Sequence, residues 1–327
     1  MSKEKPDILV LAWPYGLALG LNLFFLFTIK RLGIKVLIRE IPFKVPILSK
    51  ALQPFKMGEL DVDENRGFND SPPVKNVGDW CKFIIATTSR ILYYNLADGF
   101  LCYHEGGLNI ISSYGIKRNK IFPILNSSDT SQLRAWRQEL VGNQIKTHPY
   151  RIIHVGRLVK WKKVDLLLYA FQQVLAALPG AELVVIGTGP EEENLKLLTR
   201  DLGLDKSVHF KGGVYDPKQL AEELFISQVY VLAGMGGLSI NDAMAMGKPV
   251  ICSVCDGTER HLLRDGLNGF FFEENNVQDL AHKIKVILQS PQLCLKMGEN
   301  SARIIEEEVN EKVAIKQYIQ AFESTLA

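Results

Sequence analysis

Short apolar runs alternate with amphipathic stretches along the chain, and this alternation predicts β-strands separated by α-helices. In the second half, strands are predicted at residues 151–155, 181–186, 208–210, 229–232 and 249–253. Helices are predicted there at residues 164–178, 192–202, 217–224, 239–246 and 310–326. The first half has predicted strands at 8–12, 35–38, 99–103 and 121–125 and helices at 17–31, 79–96 and 108–114. The repeat predicts an α/β fold with parallel sheets flanked by helices, whose ligands bind beyond the carboxyl ends of the strands.

Length and composition are those of a globular protein with two domains. The 327 residues are 47% hydrophobic and 23% charged, which excludes a disordered chain and suffices for two buried cores. The net charge of +2 (38 − 36) indicates no nucleic-acid partner. Residues 1–150 have 19 basic and 13 acidic residues, against 19 and 23 in residues 151–327. The basic excess of the first half either favours an anionic membrane or substrate or is ordinary scatter.

The cysteines and acidic clusters predict neither a disulfide framework nor a metal site. Five cysteines, an odd number, favour a reducing compartment, so we expect a cytoplasmic protein. Cys252 and Cys255 form one C-x-x-C pair, but a zinc site needs four ligands, so we interpret both as buried thiols. The D-x-D pattern of Asp61 to Asp63 lies among polar residues and is interpreted as a solvated acidic loop.

A stretch of 22 residues without charge, Ile8 to Ile29, is long enough to span a bilayer. Pro14, Tyr15 and Gly16 interrupt it with a turn signal, so we favour a strand, a turn and a helix over a transmembrane anchor, which stays the alternative. The helix is apolar on nearly all sides, which predicts that it is enclosed in the protein or touches lipid. A peripheral position on the inner face of a membrane is a further expectation.

The first candidate for chemistry follows the strand at 151–155. Gly156 and Arg157 come directly after this strand, and Lys162 lies five residues beyond Arg157. Arginine can bind a phosphate through two hydrogen bonds and lysine adds a point charge, so these cations suit an anion at the strand's carboxyl end. The alternative is a solvated basic loop, because two further lysines lie in the same segment.

The second candidate is the start of the predicted helix at 239–246. Free backbone N–H groups and the helix dipole suit a diphosphate there, at Gly236, Gly237, Leu238 and Ser239. Asp242 lies one turn into the helix, where its carboxylate could accept hydrogen bonds from two vicinal hydroxyls such as a ribose diol. The alternative is that Asp242 and Ser239 only cap the helix, because they have the N3 and N-cap spacing.

A third glycine-rich segment is Gly187-Thr188-Gly189. A dinucleotide fingerprint requires a third glycine, whereas proline and three glutamates follow here. Acidic side chains at a helix start repel phosphate, so we interpret this segment as a tight turn.

Five segments of the second half occur in a recognisable order: GRLVKWKKVDLLLYAF, AELVVIGTGPEEENLKLL, VHFKGGV, GLSINDAMAMGKPVI and DGTERHLLRDGLNG. Together they resemble the carboxyl-terminal domain of family 4 glycosyltransferases, which have the GT-B fold. In the first half, ADGFLCYHEGG and YGIKRNKIFPILNSSDT resemble the segment that closes the amino-terminal domain of that family. The resemblance covers residues 80–327 well and is weaker before them.

The resemblance implies two Rossmann-like domains that face each other across a cleft. Residues 1–150 would form a short acceptor-side domain and residues 151–327 the nucleotide-sugar-binding domain. The last helix, about 311–327, is expected to pack back on the first domain. The family binds a nucleotide-diphosphate sugar as donor, transfers the sugar with retention of anomeric configuration, and needs no metal or other cofactor.

The resemblance also implies roles for individual residues. Arg157 and Lys162 match the pair that neutralises the diphosphate leaving group, on which charge builds in the transition state. Asp242 matches the ribose ligand, and Val214 lies where the base is held. The remaining donor contacts are expected at Gly156, Gly236, Gly237, Leu238 and Ser239.

Three departures from the family pattern are visible. Gly234 takes the place of the first glutamate of the E-x7-E signature, which contacts the donor sugar. Asp242 replaces the second glutamate and is one methylene shorter. The first domain is short, since Lys5 to Ile8 resembles a strand that usually comes well inside it, and Arg39-Glu40 stands about where the active-site histidine is expected.

The sequence therefore supports two functions. The leading hypothesis is a retaining glycosyltransferase that moves a hexose-type sugar from a nucleotide-diphosphate donor to a glycan or lipid-linked acceptor. The alternative is a catalytically degenerate relative that binds a nucleotide-sugar or a partner protein without turnover. Gly234 and the short first domain motivate the alternative.

Overall fold

The computed structural model describes residues 5–12, 23–40, 47–48, 77–103, 105–253 and 259–327. The chain divides into two compact units. Unit 1 comprises Met1–Asn126 and Lys312–Ala327, and unit 2 comprises Ser127–Glu311. Residues 127–150, which the sequence analysis grouped with the first domain, pack with unit 2.

Unit 1 contains a parallel sheet of four strands among its described residues: β1 (Ile8–Ala12), β2 (Lys35–Glu40), β3 (Gly99–Cys102) and β4 (Ile121–Pro123). Its spatial order, β1-β2-β3-β4, follows the order of the chain. The helices between the strands are α1 (Leu23–Arg31), α2 (Val77–Leu96) and α3 (Gly106–Ser112). The core of the unit is built around the fully buried Tyr94, Phe100 and Ile111.

Unit 2 contains a parallel sheet of six strands: β5 (Arg151–Val155), β6 (Glu182–Ile186), β7 (Val208–Phe210), β8 (Val229–Leu232), β9 (Val250–Cys252) and β10 (Gly269–Phe271). The spatial order is β10-β9-β8-β5-β6-β7. The order reverses between β5 and β8, and such a reversal opens a crevice at the carboxyl ends of the two strands. Both faces of a parallel sheet are covered by helices, which explains why every residue of β8 is buried.

The described helices of unit 2 are α4 (Ser131–Gly142), α5 (Val164–Ala177), α6 (Glu192–Asp201), α7 (Pro217–Ile226), α8 (Ser239–Ala245), α9 (Glu259–Leu262), α10 (Val277–Leu288) and α11 (Pro291–Glu307). Local capping explains several of their starts. Asp216 accepts a hydrogen bond from the N–H of Lys218 and precedes a proline at the first position of α7. Ser290 caps α11 in the same way.

The last helix, α12 (Glu311–Leu326), contributes to unit 1. Ala321 is fully buried and packs with Leu101 and Ile124 of that unit. The side-chain oxygen of Gln317 accepts a hydrogen bond of 2.8 Å from the backbone N–H of Leu125. Apolar packing and a hydrogen bond from a backbone N–H to a side chain therefore both hold α12 in unit 1.

The α/β prediction is confirmed, since the structure has two parallel sheets flanked by helices. Most predicted elements are present with ends displaced by a few residues. Five of the helices and strands have no counterpart in our prediction: α4, α9, β10, α10 and α11. In α4 only Leu133 and Leu140 are buried, so its apolar stripe is narrow.

Ile8–Ala12 forms a strand, so the uncharged stretch Ile8 to Ile29 is not one helix. None of the helices in the described ranges has the length and apolar character needed to cross a bilayer. The cytoplasmic location and the association with a membrane surface stay predictions. The predicted turn at Pro14 to Gly16, the acidic loop at Asp61 to Asp63, and Cys255 lie outside the described residues.

Candidate functional site

The residues that the sequence analysis assigned to the donor all follow strands of unit 2 at their carboxyl ends. Gly156, Arg157 and Lys162 follow β5, Val214 follows β7, and the glycine-rich segment with Asp242 follows β8. Strands β5 and β8 are neighbours at the point where the strand order reverses. These residues lie along one edge of the sheet because parallel strands have all their carboxyl ends on the same edge.

The loop after β5 lies directly against the loop after β6. The N–H of Gly156 donates to the carbonyl of Ile186 (2.9 Å), and the N–H of Leu158 donates to that of Thr188 (3.0 Å). A Cβ atom on Gly187 would lie 1.9 Å from the carbonyl oxygen of Gly156, and one on Gly189 would lie 2.2 Å from that of Leu158. The two glycines are therefore required by close backbone packing, in keeping with the tight turn that we inferred.

Lys162 connects the loop after β5 with the loop after β8. It ends a short 3₁₀ helix (Lys160–Lys162), and its ammonium group donates to the carbonyls of Met235 (2.8 Å) and Gly236 (2.7 Å). The side chain is half-buried. These two hydrogen bonds hold the cation beside the glycine-rich start of α8.

Arg157 differs from Lys162 in its surroundings. Its side chain is exposed, and within the described ranges no ion pair or hydrogen bond engages its guanidinium group. The structure therefore leaves the guanidinium group of Arg157 available for an anion, on the loop that also carries Lys162.

Gly234 lies where the backbone of the 3₁₀ helix contacts the loop after β8. A Cβ atom on Gly234 would lie 2.1 Å from the carbonyl oxygen of Trp161 and 2.6 Å from the carbonyl carbon of Lys162. The next N–H, that of Met235, donates to the carbonyl of Trp161 (2.8 Å). Gly234 takes the place of the first glutamate of the E-x7-E signature, and glycine is the one residue type whose lack of a Cβ atom permits this close backbone contact.

The capping alternative for Ser239 and Asp242 is not what the structure shows. The N-cap of α8 is Leu238, and it makes no side-chain capping bond. The hydroxyl of Ser239 instead bonds that of Tyr230 (2.7 Å), which also donates to the carbonyl of Val155 (3.3 Å). Tyr230 is fully buried within β8, and its hydroxyl thereby ties the start of α8 to the end of β5.

Asp242 lies in the first turn of α8 and is half-buried. Its Oδ1 atom accepts a hydrogen bond from the hydroxyl of Ser128 (3.3 Å). Burial raises the pKa of the Asp242 carboxyl, and the hydrogen bond from Ser128 lowers it. The carboxylate has no other hydrogen-bond partner among the residues that the structure describes.

His154 lies under the same loop, one residue from the end of β5. It is fully buried, and its Nδ1 atom is 3.0 Å from the carbonyl oxygen of Val231, so Nδ1 carries the proton. Its Nε2 atom has no hydrogen-bond partner among the described residues. Burial lowers the pKa of His154 from 6.5 to about 4, and the charge of Lys162 lowers it as well. The ring is therefore neutral at physiological pH.

Val214 is half-buried in the loop between β7 and α7. The carbonyl of Gly212 accepts a hydrogen bond from the N–H of Gly187 (2.8 Å), which fixes this loop against the one after β6. Tyr215 is 87% exposed, so the segment presents an aromatic side chain to solvent.

In unit 1, Glu40 ends β2 near the place where the family histidine is expected. Glu40 is fully buried and accepts a hydrogen bond of 2.5 Å from the hydroxyl of Tyr94. Burial raises the pKa of Tyr94 well above its ordinary value, and the charge of Glu40 acts in the same direction. Arg39 lies 6.0 Å from the ring centre of Tyr103. Glu40 is thus enclosed in the core and does not reach solvent.

No sequence pattern that we considered indicated Ser128, His154 or Tyr230 as parts of this region. A tyrosine within a buried strand signals a hydroxyl that needs a partner, so Tyr230 could have been found. Ser128 had no such signal, because it lies more than a hundred residues before Asp242 and meets it only in the folded chain.

Residues 137–304, slightly more than half of the chain, match the model of the family described as Glycosyl transferases group 1. The chain therefore belongs to this family. The solved structure of HepE from Anabaena in complex with UDP has a TM-score of 0.68 to this chain at 17% identity, and it covers 96% of this chain and 78% of HepE. At this identity the likeness concerns the fold, and it confirms the GT-B prediction.

Two curated relatives show how much of the chain is matched. An uncharacterized glycosyltransferase of Haemophilus influenzae is 31% identical over 165 residues, which are 50% of this chain and 46% of that protein. The poly(ribitol-phosphate) alpha-N-acetylglucosaminyltransferase of Staphylococcus aureus is 22% identical over 272 residues, 82% of this chain and 51% of that protein. The chain thus spans about half the length of these relatives.

Proposed function

We propose that the chain is a retaining glycosyltransferase that transfers a hexose-type sugar from a nucleotide-diphosphate donor to a glycan or lipid-linked acceptor. The family of the chain and the UDP bound to HepE support a nucleoside diphosphate as leaving group. The name of the S. aureus relative specifies transfer of an N-acetylglucosaminyl group, which supports a sugar of hexose type. Retention is inferred from the family resemblance, and the anomeric configuration of the product in an NMR spectrum tests it.

The position of Lys162 is the observation that carries this proposal. Its ammonium group bridges the loops after β5 and β8 through the carbonyls of Met235 and Gly236, at the point where the strand order reverses. A cation whose position is set in advance stabilises the negative charge that builds on a departing diphosphate. Arg157 is the second cation, because an exposed guanidinium can bind a phosphate through two parallel hydrogen bonds.

The other contacts to the donor follow from the same edge of the sheet. The carboxylate of Asp242 accepts hydrogen bonds from the ribose hydroxyls, and Val214 lies beside the base. The backbone contacts to the donor are made by Gly156, Gly236, Gly237, Leu238 and Ser239. Two cationic side chains neutralise the diphosphate in this scheme, so we propose a metal-independent transfer. Unchanged turnover in the presence of EDTA is the expected result.

Calorimetry with UDP tests the proposed grip on the diphosphate. We expect Arg157→Ala to weaken UDP binding by a factor of about 10 to 150, because hydrogen bonds to charged groups contribute about 1.5–3 kcal/mol. Uridine, which lacks phosphates, should bind both proteins equally. Arg200→Ala is the matched control, since Arg200 lies on α6 with its side chain largely in solvent. Equal affinity of Arg157→Ala and wild type for UDP would reject the proposed contact between Arg157 and the diphosphate. If wild type binds none of UDP, GDP and ADP, the proposed class of donor is rejected.

Gly234 supports a second candidate, a nucleotide-sugar-binding protein without turnover. The close contact between Gly234 and the backbone of Trp161 and Lys162 leaves no room for the glutamate that contacts the donor sugar in the family. This candidate predicts binding of UDP-sugars without release of UDP. A screen of UDP-, GDP- and ADP-sugars for donor hydrolysis separates the two, because any turnover eliminates the binding protein.

A further inference from the structure

The hydrogen bond between Ser128 and Asp242 joins two distant parts of the unit 2 sequence. Ser128 lies in the segment that precedes α4, and Asp242 lies in the first turn of α8. The hydroxyl of Ser128 donates to Oδ1 of Asp242 over 3.3 Å. Within the described residues this is the only hydrogen bond of the Asp242 carboxylate, so Oδ2 keeps its full capacity to accept hydrogen bonds.

The segment that carries Ser128 is itself held in place. The hydroxyl of Ser127 is 3.1 Å from the carbonyl oxygen of Ser128 and 3.4 Å from that of Val309. The carboxylate of Asp129 accepts a hydrogen bond of 3.0 Å from the N–H of Ser131, the first residue of α4. These hydrogen bonds hold the backbone around Ser128 in place. Its hydroxyl can therefore bond Asp242 without the ordering of a free loop.

We propose that Ser128 is a positioning residue for the ribose-binding carboxylate of Asp242, so that recognition of the ribose diol depends on both side chains. This inference rests on the proposed function, which assigns Asp242 to the ribose. The donor-binding roles came from the family resemblance, whereas the role of Ser128 comes only from the contact between the two segments.

The physical reason is that the carboxylate of an aspartate can rotate freely when no hydrogen bond holds it. A vicinal diol offers two donors, and the carboxylate must present its oxygens to both at once. A hydroxyl bonded to Oδ1 restricts the rotation of the Asp242 side chain and leaves Oδ2 directed to the ligand. An aspartate reaches less far than the glutamate of the family, so an error in its orientation costs more of the contact.

The Ser128 hydroxyl also favours the ionised carboxylate. Burial raises the pKa of Asp242, and the hydrogen bond from Ser128 opposes this rise. Without Ser128 the pKa is expected to lie higher. A protonated carboxyl is a weaker acceptor than a carboxylate, so the contact with the diol would then weaken at a higher pH.

The first test measures the preference for ribose by calorimetry with UDP and 2′-deoxy-UDP. Wild type should bind UDP more tightly, and Asp242→Asn should abolish most of this preference. Ser128→Ala should lower the ratio of the two affinities about fivefold, and Ser128→Thr, which keeps the hydroxyl, should restore it. Ser227→Ala is the matched control, because the buried Ser227 loses a hydrogen bond to the carbonyl of Glu223 at the amino end of β8, whereas Asp242 follows the carboxyl end of that strand.

The second test follows the same affinity ratio as the pH is lowered stepwise from 8. Ionisation of the UDP phosphates is common to both ligands and cancels in the ratio, so the midpoint reports Asp242. We expect the preference for UDP to disappear as the pH falls, and to do so at a higher pH in Ser128→Ala than in wild type. A purely structural effect of the substitution would lower affinity for both ligands and leave the midpoint unchanged.

The outcomes separate this inference from the proposed function. If wild type binds UDP and Asp242→Asn loses the ribose preference, but Ser128→Ala keeps the wild-type ratio and midpoint, the role of Ser128 is refuted and the proposed function stands. If wild type binds none of UDP, GDP and ADP, both proposals fall. A lower ratio together with a raised midpoint in Ser128→Ala, with Ser227→Ala unchanged, supports the inference.

Discussion

The two sheets of this protein are both parallel, yet they differ in the order of their strands. In the described part of unit 1 the strands follow the chain order, β1-β2-β3-β4, whereas in unit 2 the order reverses between β5 and β8. At a reversal the two adjacent connections leave on opposite faces of the sheet, and the strand ends between them stay open to a ligand. This difference explains why the candidate chemistry collects in unit 2.

The buried polar groups at the strand ends show the same contrast. In unit 1, Glu40 is enclosed by aromatic side chains, and the ring of Tyr94 lies 4.8 Å from that of Phe100. In unit 2, His154 lies under the loop that carries Gly156, and its Nε2 atom has no hydrogen-bond partner among the described residues. In unit 1 the buried Glu40 is part of the core, whereas in unit 2 the buried His154 lies beside candidate ligand-binding residues.

The largest effect is expected for Gly234→Ala in unit 2. The new Cβ atom would lie 2.1 Å from a backbone oxygen, so the backbone at Trp161 and Lys162 must move. We expect a loss of about 3 kcal/mol in the free energy of unfolding and a marked weakening of UDP binding. Hydrogen exchange followed by mass spectrometry should place the loss in peptides of unit 2 and leave those of unit 1 unchanged.

Gly142→Ala is the control for this substitution. Gly142 is the last residue of α4, and nothing lies within 4 Å of the position of its Cβ atom. An alanine in such a helical position should leave stability unchanged or raise it by up to about 1 kcal/mol. If Gly234→Ala were as harmless as Gly142→Ala, the packing role of Gly234 would be wrong.

The pH dependence of stability offers a second comparison, because His154 is buried in its neutral form. Its pKa is lowered from 6.5 to about 4 in the folded protein, so between these values the unfolded chain binds more protons. The free energy of unfolding should therefore fall as the pH falls from about 6.5 towards 4, with about 3 kcal/mol due to His154. Urea unfolding at a series of pH values measures this loss.

The variant His154→Gln isolates the contribution of the imidazole. Glutamine keeps a donor for the carbonyl of Val231 and does not titrate. We expect the variant to lose less stability than wild type between pH 7 and pH 4.5. Parallel losses in both proteins would show that other groups cause the acid sensitivity.

The smallest effect is expected in unit 1, for Tyr94→Phe. This change removes the hydroxyl that donates to the buried Glu40, which should lower the stability of unit 1 by about 2 kcal/mol. UDP binding should not change, because the contacts that we assign to the donor all lie in unit 2. Hydrogen exchange of unit 1 peptides and calorimetry measure the two expectations.

Tyr93→Phe provides a matched control on the neighbouring residue. The hydroxyl of Tyr93 is buried and has no hydrogen-bond partner in the described part of the chain. Its removal should therefore be neutral or slightly stabilising. Equal destabilisation by the two tyrosine substitutions would contradict the assigned role of the bond between Tyr94 and Glu40.

Much of unit 2 could be predicted from the sequence because its strands are short apolar runs, and Gly156 and Gly187 directly follow two of them. The strands β5, β7 and β8 begin and end at the residues that the pattern indicated. The helix α4 was missed, because only two of its residues are buried and its remaining positions carry no apolar stripe. In unit 1 the sequence placed Arg39 and Glu40 about where the family histidine is expected, but no local pattern indicated that Glu40 is enclosed in the core.

The amino-acid sequence by itself determined the class of fold and the residues that follow each strand, because both depend on periodicity and on local turn chemistry. Only the tertiary structure decided which of these residues meet. It joined the ammonium group of Lys162 to the carbonyls of Met235 and Gly236 and the hydroxyl of Ser128 to Asp242. Contacts between residues about seventy to more than a hundred positions apart depend on the order of strands in the sheet, and no local pattern specifies that order.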